Sequence, residues 1–136
     1  MRWIVIALLF AASWGCQSNP RSGSSKQETA SSDDPRARFR CAGNEPGWNL
    51  TISSDSLVFV GDYGEVRAAY PWVEPRTGNG MWVYEYVNAS VPGGFARLTV
   101  LIVRDSCSDG MSDKTYEYQA RVMHQLKGYV GCATRL

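Results

Sequence analysis

Two segments of the chain carry the residue types that most often bind partners or do chemistry. The first places Glu45 and Trp48 on either side of a Pro-Gly pair. An aromatic ring beside a carboxylate can hold a sugar or a partner's side chain. The structural interpretation, which we favour, is a turn held by the carboxylate with the ring filling one end of a core. Both residues are therefore candidate binding residues.

The second segment, 107–116, combines a cysteine with short acidic and hydroxyl side chains. Such side chains bind their own backbone, which is typical of a structural loop, and this interpretation is favoured here too. The alternative is an exposed loop that contacts another protein. Its candidate residues are Ser108, Asp109, Met111, Ser112, Asp113, Lys114 and Tyr116.

Neither segment forms a recognisable catalytic site. The only histidine, His124, follows two apolar residues, which favours a packed side chain over a general base. No G-x-S-x-G sequence occurs. Glu45 and Asp109 could imitate the carboxylate pair of a glycosidase, but a small filled domain offers little cleft for a glycan. We predict a protein that is not an enzyme.

No metal or cofactor is expected. The cysteines lack C-x-x-C spacing, which argues against zinc. Asp109 and Asp113 suit calcium, but the acidic residue that closes an EF-hand loop is missing. Met81, Met111 and Met123 form no compact copper(I) motif. A copper or calcium module remains an alternative of lower rank.

From residue 38 onward, β-branched and aromatic runs alternate with Gly, Pro, Asn and Asp, which is typical of strands and turns. Tyr116, Tyr118, Ala120 and Val122 alternate with polar residues, so that strand has one dry face. The pattern predicts an all-β domain, a small antiparallel barrel with a filled interior, with a two-sheet sandwich as the alternative. The predicted strands are 38–42, 48–53, 57–60, 65–70, 82–87, 95–103, 115–124 and 125–133.

The N-terminus predicts export. Arg2 precedes a short apolar run that ends at Gly15-Cys16, which resembles a bacterial lipobox except for Trp14. We predict a signal peptide over 1–16, a lipid anchor on Cys16, a disordered tether over 17–37 and the domain over 38–136. The alternative is an ordinary signal peptide without lipid. Gln17 after the cysteine resembles the outer-membrane sorting pattern, with the domain facing the periplasm.

The net charge argues against nucleic-acid binding, and the cysteines predict a disulfide. Without Arg2, 13 of the 14 basic residues remain against 13 acidic ones, so a nucleic-acid binder is not expected. With Cys16 assigned to lipid, three cysteines remain in an oxidising compartment. Cys107 and Cys132 flank a predicted hairpin, so we favour that disulfide. Cys41 paired with Cys132 is the alternative.

The motifs G-N-E-P-x-W from Gly43, C-x-D-x-M-S from Cys107 and G-C-A from Gly131 resemble, in this order, those of a family of bacterial envelope lipoprotein domains. That family is broadly similar to the membrane-bound inhibitors of lysozyme and to META-type barrels. The inhibitors insert a loop with a serine and a basic residue into the hydrolase cleft. The resemblance implies a lipid-anchored binding protein that inhibits or senses a cell-wall-active protein such as lysozyme. A structural lipoprotein without a discrete ligand is the alternative.

Overall fold

The computed structural model describes residues 33–92 and 94–136, and these form one antiparallel sheet of nine strands. The sequence prediction of an all-β domain is confirmed. The strands are β1 (Phe39–Asn44), β2 (Gly47–Ile52), β3 (Ser56–Gly61), β4 (Val66–Pro71), β5 (Arg76–Gly78), β6 (Met81–Val91), β7 (Gly94–Ser108), β8 (Thr115–His124) and β9 (Lys127–Arg135). A single 3-10 turn, Asp62–Gly64, follows β3. No helix among the described residues is long and apolar enough to span a bilayer.

The sheet curls into a small barrel. Its strand order is β4-β3-β2-β1-β9-β8-β7-β6-β5, so the first and last strands of the chain, β1 and β9, are neighbours. The edge strands β4 and β5 are not hydrogen-bonded to each other. Side chains close the gap instead, because the rings of Tyr70 on β4 and Tyr86 on β6 lie 5.1 Å apart. Phe59 on β3 also stacks on His124 of β8, at 4.7 Å.

Aromatic and aliphatic side chains fill the interior. Period-two alternation turns every second residue inward, as the pleat of a strand requires. The Phe39 ring lies 5.1 Å from Trp82 and 5.4 Å from Tyr118, both edge-on. Fully buried residues include Phe39, Leu50, Ile52, Leu57, Phe59, Trp82, Tyr84, Leu98, Val100 and Ile102.

Several strands differ from the sequence prediction. β6 runs to Val91, four residues beyond its predicted end, and β9 lies two residues later than predicted. The differences in β5 and β7 are larger. The three-residue β5 was not predicted, because Arg-Thr-Gly has no apolar alternation and pairs only with the start of β6. β7 continues to Ser108, five residues beyond the predicted end, through a bulge after Arg104. Polar residues 104–106 hide this extension from a pattern based on hydrophobicity.

The folded part extends N-terminal to the predicted domain boundary. The Trp82 indole N–H donates to the carbonyl of Asp34 at 2.8 Å, and the Tyr84 hydroxyl donates to the carbonyl of Ala37 at 3.2 Å. Ala37 is buried. Residues 33–37, assigned to the tether from their polarity, therefore contact the core through their backbone. The predicted lipid attachment at Cys16 lies outside the described residues.

Candidate binding site on the outer face of the sheet

The end of β7 stays paired with β8 as far as Ser108, after a register shift between Arg104 and Cys107. At the bulge, the Gln119 side chain of β8 donates to the Asp105 carboxylate at 2.9 Å. Two residues later, Cys107 forms a disulfide with Cys132 of β9, with the Cα atoms 5.6 Å apart. The predicted pairing is confirmed. The segment 107–114, here called the disulfide loop, is thus attached to β9.

The alternative pairing is excluded by the two faces of the sheet. Cys41 is free and fully buried in the core, on the inner side of β1. Cys132 is paired in register with Ala42, the next residue along β1, and therefore points to the outer side. The backbone of the sheet separates the two sulfur atoms. Burial raises the pKa of the Cys41 thiol to about 12.

Asp109 organises the disulfide loop from within. One carboxylate oxygen accepts the backbone N–H groups of Met111 at 3.0 Å and Ser112 at 2.9 Å. The Ser112 hydroxyl binds the same carboxylate, and the Tyr116 hydroxyl donates to its second oxygen at 3.4 Å. The backbone N–H groups of Met111 and Ser112, followed by the side-chain hydroxyls, hold the pKa of Asp109 below its ordinary value. The ionised carboxylate therefore stabilises the loop.

A hydrogen bond joins the two segments that the sequence singled out. The Asn44 side-chain amide donates to the carbonyl of Asp109 at 3.0 Å, across 65 residues of sequence. Asn44 ends β1, and the turn after it contains a cis peptide bond between Glu45 and Pro46. Tyr63 donates its hydroxyl to the Asn44 carbonyl at 3.3 Å. The first motif therefore supports the disulfide loop.

Trp48 does not form an exposed aromatic platform. Only 4% of its surface is exposed, and its indole N–H donates to the carbonyl of Val130 at 3.1 Å. A Cβ atom at Gly43 would collide with the Trp48 ring, and one at Gly131 would collide with the Ala42 carbonyl. The two motif glycines thus allow β1, β9 and the indole to approach closely. The binding role considered for Trp48 is replaced by this structural one.

Two shallow grooves flank the link between Asn44 and Asp109. One, of about 420 Å³, is lined by Glu45, Met111 and Val130. The other, of about 370 Å³, is lined by Arg40 and Lys114, among others. The first groove also includes Asn44, Ser108 and Asp109, so it mixes polar and apolar groups and has two carboxylates, whereas the second has Arg40 and Lys114 at its border.

The side chains of the disulfide loop divide into two groups. Ser108, Asp109 and Ser112 make hydrogen bonds within the loop. Met111 is 79% exposed, and Asp113 and Lys114 are exposed as well. The Lys114 ammonium lies 4.8 Å from the centre of the Tyr116 ring, a cation–π arrangement. The exposed group is therefore the part of the loop that can contact a partner.

Sequence reasoning missed Asn44 and Arg40 as members of this site. Asn44 lies within the motif that was singled out, so its position was a usable signal, whereas nothing in the sequence distinguishes Arg40 from the other arginines. No group of three or more His, Cys, Asp or Glu residues suited to a metal occurs within residues 33–92 and 94–136.

Comparisons of the chain with family models, with curated proteins and with solved structures found no significant match.

Proposed function

We propose that this chain is a lipid-anchored envelope protein that acts by binding, and that the disulfide loop inhibits or senses a cell-wall-active hydrolase such as lysozyme. The observation that carries the proposal is the rigid attachment of the loop. A disulfide, an internal carboxylate and the Asn44 side chain hold it before any partner arrives. A preorganised loop avoids most of the entropy cost of ordering on binding.

The exposed side chains of the disulfide loop suit the active-site cleft of a glycoside hydrolase. Glycoside hydrolases cleave glycans with a pair of carboxyl groups. Lys114 offers an exposed ammonium that can pair with one of them, and the tyrosine ring beside it limits its conformations. Ser108 accepts the N–H of Gly110 through its hydroxyl oxygen, so the hydroxyl proton is left to donate. Met111 supplies exposed apolar surface beside these polar groups.

The experiment measures binding and inhibition for a panel of lysozyme classes with the full chain. We expect tight binding by at least one class, and we expect Lys114→Ala and Met111→Ala to weaken it by at least tenfold. Lys127→Ala is the matched control, because Lys127 pairs with Asp62 away from the loop. Failure of every class to bind at micromolar concentration would contradict the proposal.

A second pair of variants separates binding from loop stability. Asp109→Ala removes the carboxylate that organises the disulfide loop. Asp55→Ala is its counterpart, because Asp55 accepts hydrogen bonds from Ser53 and Ser56 in the turn between β2 and β3. We expect only Asp109→Ala to weaken the hydrolase complex. If both variants change stability alone and no partner is captured, the structural role replaces the proposed one.

A further inference from the structure

The outer face of β6 to β9 carries an apolar surface that, apart from Val130, lies outside the candidate binding site. Register aligns Val83, Leu101, Arg121 and Val130 across the four strands. Met123 lies in the adjacent row, opposite Gly128. We call this surface the β6–β9 face.

Large side chains on this face are open to solvent. Val130 is 69% exposed, Val87 is 60% exposed and Met123 is 43% exposed. Between Leu101, Met123 and Val130 lies a groove of about 410 Å³, lined almost entirely by carbon. Exposed apolar side chains that cluster on one face are typical of a surface that contacts a protein or a membrane.

The outer side of β6 to β9 carries two arginines, and its acidic residues include Glu85 on β6 and Glu117 on β8. Arg97 and Arg121 are exposed, and no carboxylate among the described residues forms an ion pair with either. Glu85, the acidic residue on the outer side of β6, is paired with Arg76 at 2.9 Å. Arginine interspersed with valine, leucine and methionine matches the interface of an anionic lipid layer, where apolar side chains enter the acyl region and guanidinium groups meet phosphates.

The chain outside the described part begins beside this face. The Asp33 carboxylate accepts the N–H of Gly80 at 3.2 Å, in the turn immediately before β6. Asp33 is 17 residues from Cys16, and 17 residues span at most about 60 Å. An anchor at Cys16 would therefore leave the face within reach of the same membrane.

We propose that the β6–β9 face rests on a membrane surface that contains anionic lipids, and that it orients the domain. The disulfide loop is attached at Cys132, two residues beyond Val130 on the same outer side of β9, so it lies at the border of the face. This inference goes beyond hydrolase binding and does not depend on it.

The test is flotation of the full chain with vesicles. The chain carries Cys16→Ser, which removes the predicted lipid acceptor. All variants share residues 1–32, so any contribution of these residues to vesicle binding is the same in each. Vesicles of phosphatidylethanolamine and phosphatidylglycerol are compared with phosphatidylcholine alone. We expect preference for the anionic vesicles, and a loss of about fivefold in partitioning for Arg97→Gln and again for Arg121→Gln.

Matched controls identify the face. Arg67→Gln changes an exposed arginine on β4 and is expected to leave partitioning unchanged. Val130→Asp is compared with Val58→Asp, because Val58 is an exposed valine on β3. We expect only Val130→Asp to reduce flotation, with melting temperature as the check on folding.

Two results would overturn the inference. The first is equal partitioning of the Arg97, Arg121 and Arg67 variants on anionic vesicles. The second is a concentration-dependent dimer, seen by sedimentation equilibrium and abolished by Val130→Asp while flotation stays unchanged. In that case a second copy of the chain covers the face. Neither result bears on lysozyme binding, which is measured without lipid.

Discussion

Removing the disulfide tests whether it stabilises the domain as the fold implies. The variant is Cys107→Ala combined with Cys132→Ala. The bridge links positions 25 residues apart. The chain-entropy relation for a closed segment of this length gives about 3.5 kcal/mol at 25 °C. That is a large fraction of the stability of a domain of this size.

Urea unfolding of the oxidised protein and of the double variant measures this difference. We expect the free energy of unfolding to fall by about 3.5 kcal/mol. Cys41→Ala is the control, because it removes a buried thiol without opening a covalent loop. Its cost is the small cavity that it leaves, about 1 kcal/mol.

The same variant is expected to lose hydrolase binding, because the loop then loses its covalent attachment to β9 and keeps only hydrogen bonds to the sheet, such as the one from Asn44 to Asp109. A fall in stability below about 1 kcal/mol would refute the reasoning, since it would mean that the loop is equally constrained without the bond. Unchanged binding would separately refute the view that attachment preorganises the loop.

Three further predictions follow from buried and hydrogen-bonded groups. Cys41 should resist alkylation in the folded protein at neutral pH and react once urea unfolds the chain, because burial raises the pKa of its thiol to about 12. Mass spectrometry measures the labelled fraction. Rapid labelling of the folded protein would contradict the burial of Cys41 in the core. Trp48→Phe should lower the free energy of unfolding by about 1 to 3 kcal/mol, because it leaves the carbonyl of Val130 without its donor; an unchanged urea midpoint would show that the bond contributes nothing. Loop N–H groups lower the pKa of Asp109 in the folded state, so the carboxylate stabilises the protein above the unfolded pKa of about 3.9. This stabilisation is lost as pH falls through the lower folded pKa, and the NMR shifts of the loop amides should follow that transition. If the transition persists in Asp109→Ala, it belongs to another group.

The sequence by itself determined the class of the fold and most of its strands. Alternation in 115–124 identified β8 at its observed bounds, because one face of that strand meets the core and the other meets water. The sequence also predicted the disulfide, because Cys107 and Cys132 flank a hairpin that brings them close together. These features depend on neighbours along the chain or on burial, both of which leave a periodic signal.

Tertiary structure alone decided how the segments meet. Asn44 and Asp109 are 65 residues apart, and their contact depends on β1 pairing with β9 and on the disulfide that holds the end of β7 to β9. The inward position of Trp48 depends on the space that Gly43 leaves. A single polar contact, or a glycine that leaves room for a neighbouring ring, produces no periodic pattern in the sequence. Such a feature can be recognised only after the strands are placed.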